Sequence, residues 1–343
     1  MFELKKTSQH VPRQAKYYDL YGAYKEKNVV ILGASGFIGR WLARALSKNG
    51  AHVFLFVRDK LAANIIFDQY EINGIIFEHD LVANEASLKD LFQTISPDLV
   101  FNLAGYGVDP NQRDKVTAYK VNAGLIETIC HAISETKSDT WNGQNIVHVG
   151  SALEYGKDAG NLSESLTYTP TTIYGESKLL GTQQLTRSCV KHGLKGVTVR
   201  LFSVYGPGEH NSRLLPSLIN ATKGQLLSLT KGTQKRDFTY IDDVVEGLLR
   251  IGSVNKPEIF MKGPIINLAT GHLNSVRNFV ETAANVLDID TKYLKFGDIP
   301  MRSEEMQHLP VSIHLLRQHL HWSPVISISE GICRCSKFLK SIE

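Results

Sequence analysis

The feature that most constrains the fold is a glycine-rich turn near the start of the chain. Gly33, Gly36 and Gly39 recur at every third position, directly after the apolar run Asn28–Leu32 and before a stretch of helical pattern that stops at Gly50. One glycine permits a tight turn from strand to helix, one lets the backbone approach a pyrophosphate, and one lets the helix pack closely on the sheet. The free amides at the start of such a helix also attract an anion. The pattern therefore predicts a dinucleotide site, with these contacts at the turn: Gly33, Ser35, Gly36, Phe37, Ile38 and Gly39.

Beyond the turn, short apolar runs alternate with helical stretches. Strands are predicted at 51–57, 99–103, 145–149 and 196–201, and long helices at 116–134 and 170–192. This alternation is typical of the α/β class with a doubly wound parallel sheet, the Rossmann arrangement, in which helices cover both faces. Ligands of such sheets bind beyond the carboxyl ends of the strands.

The pattern divides the chain into three regions. Residues 1–27 are a polar, tyrosine-dotted extension, and residues 28–204 are the predicted dinucleotide-binding domain. From 205 to 343 the elements become shorter, which predicts a smaller C-terminal substrate-binding lobe. This lobe is expected to be interleaved with the sheet through return segments near 236–252 and 265–270. The substrate is then expected between the two lobes.

Composition disfavours several classes of function. The 343 residues carry a formal net charge of +4 with no Lys/Arg block, so nucleic acid is not expected as the main partner. No apolar run is long enough to span a bilayer and the N-terminus has no apolar signal core, so a cytoplasmic location without a membrane partner is expected. No metal site is expected, because the cysteines lack a second Cys or His pair at ligand spacing: Cys130, Cys189, Cys333 and Cys335.

The end of the second predicted strand bears on the choice between NAD and NADP. NAD sites usually have an acidic residue there for the ribose 2′-hydroxyl, whereas NADP sites use an arginine for the 2′-phosphate. Here Arg58 occupies that position and Asp59 follows it. NADP(H) is therefore favoured. NAD(H) is the alternative, since a shift of one residue in register would let Asp59 bind the hydroxyl.

A tyrosine and a lysine on one helix supply a candidate for proton transfer. Tyr174 and Lys178 are four residues apart, which places them on the same helix face one turn from each other. A phenol has a pKa of about 10, and we expect the adjacent ammonium to lower it. Lys178 can also donate to ribose hydroxyls of the cofactor. Ser151 follows a predicted strand at the carboxyl edge of the sheet, where its hydroxyl can orient a substrate oxygen. We predict Ser151, Tyr174 and Lys178 as the catalytic residues.

With these residues the chain resembles the extended short-chain dehydrogenases/reductases of the nucleotide-sugar epimerase, dehydratase and 4-ketoreductase type. The resemblance runs from residue 28 onward and includes the segment 200–208, and it is especially specific in the segment 235–244. It implies further cofactor contacts at Asp80, Leu81, Leu103, Ala104, Asn122, Tyr174 and Lys178. It implies a nucleotide-diphosphate sugar as the substrate, contacted by Ser151, Ala152, Ser203, Arg213, Arg236 and Arg302. It also implies a homodimer formed through the helices that contain Val116 and Pro170.

Two departures from the family pattern narrow the reaction. The family's dehydratases have an Asp-Glu pair directly after the catalytic Ser/Thr, where this chain has Ala152 and Leu153. Neither side chain can transfer a proton, so dehydration and decarboxylation by the family routes are disfavoured. Glu154 is acidic but lies one position further on, and we expect it to face another way. The second departure is Ser203, where the family often has Asn.

Several functions remain open at this point. The favoured one is NADP(H)-dependent reduction of a nucleotide-linked 4-keto-(6-deoxy)sugar, with Tyr174 as the proton donor. The alternative is an NAD-dependent nucleotide-sugar 4-epimerase, in which the phenolate would remove a hydroxyl proton. A reductase of flavonoids or steroids would not explain Arg236 next to Asp237 and Phe238. A non-catalytic dinucleotide-binding sensor or scaffold is also considered, although such proteins typically lose the tyrosine or the lysine.

Overall fold

The structure is a computed structural model. It describes residues 20, 22–84, 87–107, 112, 114–136, 138, 140–156, 160–221, 224–255, 263–301 and 309–342. Within these residues, no helix combines the length and the apolar composition needed to cross a bilayer.

The strands of the described residues form one large sheet and three small ones. The strands are β1 Asn28–Leu32, β2 His52–Val57, β3 Ile75–Glu78, β4 Leu99–Asn102, β5 Ile146–Ser151, β6 Gly196–Leu201, β7 Ser203–Tyr205, β8 Leu227–Leu229, β9 Lys235–Arg236, β10 Phe238–Tyr240, β11 Ile265–Leu268, β12 Asn274–Ser275 and β13 Leu294–Phe296. The large sheet has seven strands in the order β11-β6-β5-β4-β1-β2-β3, all parallel. This confirms the predicted doubly wound parallel sheet. The strand order reverses between β1 and β4, which is where such sheets bind ligands.

Helices connect the strands. The longer ones are Phe37–Lys48, Lys60–Gln69, Ser87–Ile95, Leu125–Thr136, Ile173–His192, Leu214–Ala221, Ile241–Ser253, Val276–Leu287 and Ile328–Ile342, and His314–Leu320 is shorter. Leu125–Thr136 continues from the helix Lys115–Tyr119 through one π-helical turn, Lys120–Gly124, and we call the whole segment the central helix. Short 3-10 turns occur at Ala152–Glu154 and Thr291–Tyr293. We call Ile173–His192 the catalytic helix.

The sheet has an apolar layer on each face because its strands are buried on both sides. In β1, Val29 and Ile31 belong to one core cluster, whereas Val30 and Leu32 belong to the other. The first cluster includes side chains from the helices Phe37–Lys48 and Ile241–Ser253, and the second includes side chains from the central and catalytic helices. Parallel strands covered on both faces read as continuous apolar runs, which is why the sequence pattern identified them.

Parts of the C-terminal half pair with the large sheet or pack on it. β11 pairs with β6 in the large sheet, within the return segment expected near 265–270. The other expected return, near 236–252, supplies β10, which pairs with β7 in a separate small sheet, and the helix Ile241–Ser253, which packs on the large sheet. The end of the N-terminal extension is also packed, since the fully buried Tyr24 donates to the Leu249 carbonyl at 2.6 Å. The boundaries of the three regions remain a prediction.

Candidate active site

The glycine turn lies at the carboxyl end of β1, as expected. Gly33 has φ 81°, and a Cβ on Gly39 would lie 2.2 Å from the Gly33 carbonyl oxygen, so both positions require glycine. Gly36 precedes the helix Phe37–Lys48 and no side chain caps that helix. Its first amides are therefore not bonded to a capping group and can meet an anion. Leu103 and Ala104 border the turn, within about 3.1 Å of where a Gly33 Cβ would be. These features fit the pyrophosphate of a dinucleotide.

The sequence reasoning missed a cation at this turn. Arg40 donates from Nη2 to the Ser35 carbonyl at 2.8 Å and from Nε to the Gly36 carbonyl at 3.2 Å. Its guanidinium lies 5.1 Å from the centre of the Tyr70 ring. Arg40 follows the last glycine by one residue, and its position four residues after Gly36 could have indicated that it folds back over the turn.

The charged residues after β2 have separate roles. Asp59 caps the helix Lys60–Gln69, since its Oδ1 accepts from the Ala62 amide at 2.9 Å. Arg58 is exposed at the carboxyl end of β2, and its charge contributes to lowering the pKa of Asp80. The larger causes of that lowered pKa are the amides of Ala83 and Val82, which donate to Asp80. Arg58 and Asp80 therefore lie near each other, at the edge where an adenosine ribose is expected.

Asn122, which the resemblance implied as a cofactor contact, is fully buried in the π-helical turn. Its Nδ2 donates to the Tyr106 carbonyl and to the Ser177 hydroxyl, each at 2.9 Å, and its Oδ1 accepts from the Tyr106 amide at 3.0 Å. In this structure its side chain joins the loop after β4 to the catalytic helix. A cofactor contact of Asn122 stays a prediction.

Tyr174 and Ser151 come together at the carboxyl edge of the sheet. Thr172 caps the catalytic helix by accepting from the Gly175 amide at 3.0 Å, which places Tyr174 in its first turn. Ser151 ends β5, and its hydroxyl is close enough to the Tyr174 phenol to act on the pKa of that group. Gly107, with φ 101°, lies over the ring, since its Cβ would be 3.2 Å from the Tyr174 Cδ2.

The expectation that Lys178 lowers the pKa of Tyr174 is wrong for the chain by itself. Burial raises the pKa of Tyr174 to about 12 and the negative charge of Glu154 acts in the same direction, while the Ser151 hydrogen bond and Arg213 oppose them. Desolvation and a carboxylate brought in by the fold together outweigh the effect expected from one neighbouring positive charge. The phenol is consequently protonated at neutral pH.

Lys178 is nearly inaccessible, with 3% of its surface exposed. Burial lowers its pKa to about 8, although the Glu154 carboxylate opposes that effect. Burial and the Lys178 charge also hold the pKa of the neighbouring His148 well below its usual range. Because the imidazole is neutral, His148 adds no positive charge to that of the Lys178 ammonium.

The positions after Ser151 differ in their surroundings. Ala152 is buried and Leu153 is 37% exposed, and neither provides an acid or a base. Glu154 lies close enough to Tyr174 and Lys178 for its charge to act on the pKa of both. It is fully buried, and its Oε2 lies 2.8 Å from the Arg200 Nη2 and accepts from Nε at 2.9 Å. The sequence could not show this buried ion pair because Glu154 and Arg200 lie on different elements.

A cavity of about 190 Å³ lies beside this edge. Its walls are formed by Ser203, Val204, Tyr205, Glu209, Ser212, Arg213, Leu214, Leu215, Phe238 and Phe279. Two of the predicted substrate residues, Ser203 and Arg213, are thus brought together, and Arg213 is close enough to lower the pKa of Tyr174.

Glu209 is a wall residue of this cavity that the sequence reasoning did not single out. Its side chain is 7% exposed, and its Oε2 makes no hydrogen bond to any described residue. Burial raises the pKa of Glu209 to about 7, although Arg213, whose Nε is 3.7 Å away, opposes the shift. No local sequence pattern marks a carboxyl group that becomes buried only when the loop folds.

The remaining predicted substrate residues are less defined. Arg236 ends β9, partly buried, and donates from Nη1 to the Lys235 carbonyl at 2.6 Å. The adjacent Asp237 is buried and accepts from the Thr270 and Gly271 amides at 2.9 and 2.8 Å, which anchors this segment to the end of β11. Arg302 lies outside the described residues. No cluster of three or more His, Cys, Asp or Glu that could hold a metal occurs in the part of the chain that the structure describes.

Comparison with known proteins identifies a family for most of the chain. Residues 29–269 match the model of the NAD dependent epimerase/dehydratase family. One relative is the dTDP-6-deoxy-L-talose 4-dehydrogenase (NAD(P)(+)) of Kitasatospora kifunensis. It is 26% identical over 316 residues, which cover 89% of this chain and 93% of the relative.

Solved structures share the architecture. An epimerase from Methanothermobacter thermautotrophicus superposes with a TM-score of 0.82 at 24% identity, with 96% of each chain covered. The UDP-glucuronic acid 4-epimerase of Bacillus cereus, in complex with UDP-glucuronic acid and NAD, gives a TM-score of 0.77 at 24% identity. That comparison covers 92% of this chain and 99% of the epimerase. At such identities the likeness shows the fold alone.

Proposed function

The chain belongs to the NAD-dependent epimerase/dehydratase family and is an enzyme of the extended short-chain dehydrogenase/reductase superfamily, and we propose that it uses NADPH to reduce a nucleotide-linked 4-keto-(6-deoxy)sugar. The substrate class is supported by the relative from Kitasatospora kifunensis, whose name describes a redox reaction at C4 of a dTDP-linked 6-deoxy sugar. That relative's cofactor is written as NAD(P)(+), which is compatible with NADP(H) here.

The observation that carries the cofactor preference is the pair of residues after β2. Arg58 is exposed where the ribose 2′-substituent is expected, and the Asp59 carboxylate already caps a helix through the Ala62 amide. A planar guanidinium suits a phosphate monoester because its donors form a fixed fork. With Asp59 engaged elsewhere, the alternative in which it binds a ribose hydroxyl of NAD is weakened.

The chemistry follows from the protonation states at the edge of the sheet. When bound, NADPH would supply the hydride for the carbonyl carbon of the sugar. Tyr174, protonated at neutral pH because its pKa is about 12, gives a proton to the carbonyl oxygen, so that the ketone becomes a hydroxyl. Ser151 donates to the same oxygen as negative charge develops on it. Lys178 remains cationic below about pH 8 and attracts negative charge toward the site.

A diphosphate substrate is supported by the cavity beside Tyr174. Arg213 lines it and is 49% exposed, so its guanidinium is accessible to an anion. We propose Arg236 and Arg302 as further contacts of the diphosphate.

The absence of an acid at Ala152 and Leu153 argues against dehydration by the family route.

The second candidate is an NAD-dependent nucleotide-sugar 4-epimerase. It is favoured by the similar fold of the UDP-glucuronic acid 4-epimerase that was solved with NAD. In that reaction Tyr174 would act first as a base, and its pKa of about 12 in the chain by itself makes the phenolate scarce at neutral pH. The protonated tyrosine therefore favours reduction.

The first test is cofactor affinity. We expect the purified chain to bind NADPH more tightly than NADH, and Arg58→Ala to weaken NADPH binding about 10- to 100-fold, since a charged hydrogen bond contributes roughly 1.5–3 kcal/mol. NADH affinity should change little. Titration calorimetry measures both, with Arg317→Ala, another exposed arginine, as the control. Equal affinity for the two cofactors in the unmodified chain would remove the basis of the NADP preference.

A further inference from the structure

A buried carboxylate joins three elements directly behind the catalytic edge. The Oε1 of Glu154 accepts from the Ser151 amide at 2.7 Å, and its Oε2 accepts from the Thr182 hydroxyl and from the Arg200 Nε, each at 2.9 Å. Ser151 ends β5, Thr182 is on the catalytic helix and Arg200 is in β6. Both the Glu154 and Arg200 side chains are fully buried.

Such a pair is not explained by stability. Removing two charges from water carries a large desolvation cost, and apolar side chains of similar volume often stabilise a core as well or better. The Arg200 guanidinium lies 4.4 and 4.2 Å from the centres of the Tyr155 and Tyr168 rings, and its Nη1 has no hydrogen-bond partner among the described residues. Stability therefore does not account for the two buried charges, whereas the hydrogen bond from the Ser151 amide to Glu154 gives the carboxylate a role.

The chain also makes room for the carboxylate. A Cβ on Gly150 would lie 2.5 Å from the Glu154 Oε1 and 2.8 Å from the Thr198 Cγ2. Only glycine at this point of β5 lets the carboxylate approach the strand closely enough to accept from the next amide. Gly150 and Glu154 thus form one arrangement around Ser151.

We infer that Glu154 is a positioning residue, which fixes Ser151 through its amide so that the serine hydroxyl keeps its place beside the Tyr174 phenol. Thr182 is two turns along the same helix from Tyr174, so the carboxylate ties the strand that holds Ser151 to the helix that holds the phenol. Arg200 holds the carboxylate in place. This role rests on the proposed function of Ser151 and Tyr174, and it concerns their mutual geometry rather than the sugar or the cofactor.

The test compares two double variants with the same charge. Glu154→Gln with Arg200→Met keeps an oxygen for the Ser151 amide, whereas Glu154→Met with Arg200→Met removes it, and neither leaves a buried charge unpaired. We expect similar thermal midpoints and similar KM values, but a kcat about tenfold lower for the methionine form, because small misplacements of a catalytic group reduce turnover strongly. Equal kcat values in two variants that fold equally well would show that Glu154 has only a structural role.

A thermodynamic cycle separates action through Ser151 from any other effect. When Ser151→Ala is added to both double variants, the difference in kcat between them should disappear, because coupled residues are not additive. A difference that persists would place the action of Glu154 elsewhere and overturn the inference. If the Arg200→Met variants do not fold, Thr182→Val serves in their place. It should lower kcat about threefold, and this loss should disappear with Ser151→Ala and persist if the inference is wrong.

Hydrogen exchange of the segment 146–156 provides a readout that needs no substrate. The Ser151 amide should be protected in the Glu154→Gln pair and lose that protection in the Glu154→Met pair. If the chain is an epimerase, the same cycles can be run with that reaction, since it uses the same Ser151 and Tyr174. A failure of NADPH oxidation would then contradict the proposed reduction, while unchanged exchange and equal kcat values would contradict the role of Glu154.

Discussion

Tyr174 and Lys178 share a helix face, but burial shifts their pKa values in opposite directions. The phenol gains its proton more readily, with a pKa of about 12, and the amine loses its proton more readily, with a pKa of about 8. Each shift favours the neutral form, as expected when a group leaves water. At neutral pH the pair is therefore a neutral phenol beside a cation, which is the combination that donates a proton to a developing alkoxide.

These values predict a pH dependence for the proposed reduction. The kcat/KM, which reports on the free enzyme, should be constant below about pH 8 and fall above it, since Lys178 then loses its positive charge while Tyr174 is still protonated. In Lys178→Arg, whose guanidinium stays charged, the normalised profile should lack this descending limb. Initial rates of NADPH oxidation between pH 6 and about pH 10 measure both profiles. A limb that persists unchanged in Lys178→Arg would assign it to another group.

At the residue scale, the sequence predicted which residue types occur and how they are spaced, but not which groups surround them in the fold. Tyr174, Lys178 and the glycine turn are local patterns, so they could be identified from the order of residues alone. The raised pKa of Tyr174 could not, because its main cause, burial, and the nearby charge of Glu154 both depend on the fold. The raised pKa of Glu209 could not be predicted for the same reason, because the burial of this carboxyl group depends on how the loop after β7 packs.

At the scale of elements, the contact between the central and catalytic helices positions the site. Asn122 lies in the π-helical turn, and its backbone carbonyl meets the catalytic helix at Gly181. A Cβ on Gly181 would be 2.1 Å from that oxygen and 3.3 Å from the His148 Nε2. The glycine therefore permits an approach between two helices that no larger residue would allow.

Replacing this glycine should separate the two helices. We expect Gly181→Ala to lower the free energy of unfolding by about 1–3 kcal/mol, the usual range for overpacking, and to lower kcat because Lys178 lies one turn before it. Urea denaturation and steady-state rates measure the two effects. Gly160→Ala is the control, since its Cβ would have no atom within 4 Å. An unchanged stability in Gly181→Ala would contradict the close contact.

Most strands of the large sheet could be predicted from the sequence, whereas some other elements could not. The strands β1, β2, β4, β5, β6 and β11 were expected from their apolar runs, and they are buried in the sheet. β3 and the helix Lys60–Gln69 were not identified. No residue of β3 is fully buried, and in the helix only Ala63 and Phe67 are, so neither element has a long buried apolar run. The π-helical turn depends on the bonds of Asn122 to the loop after β4, which no helical periodicity reveals.

At the scale of the whole molecule, two neighbouring helices present apolar side chains to solvent. Val116 on the central helix is 62% exposed, and on the catalytic helix Leu180 is 38% and Val190 63% exposed. The two helices pack against each other, so a second copy related by a twofold axis would complete a four-helix contact. We propose that the enzyme is a homodimer through this face.

The proposed dimer predicts the molar mass of the chain in solution and a decrease of that mass when the interface is disrupted. The unmodified chain should elute as a dimer in size-exclusion chromatography with light scattering, and Leu180→Glu should convert it to a monomer because a buried unpaired carboxylate is costly. Leu61→Glu, at a position that is 80% exposed on another helix, should leave the dimer intact. A monomeric unmodified chain, or a dimer that tolerates Leu180→Glu, would rule out this interface.

The proposed function requires hydride transfer from NADPH to C4 of a keto sugar with Tyr174 as the acid. The most direct measurement uses NADPH with both hydrogens at the nicotinamide C4 replaced by deuterium, a nucleotide-linked 4-keto-6-deoxy sugar, and mass spectrometry of the product. We predict one deuterium at C4 for each NADPH consumed, and a loss of about 10²- to 10⁴-fold in rate for Tyr174→Phe with cofactor binding retained. Inversion of a 4-hydroxy nucleotide sugar by tightly held NAD, with no label gained and no NADPH consumed, would contradict the proposed reduction.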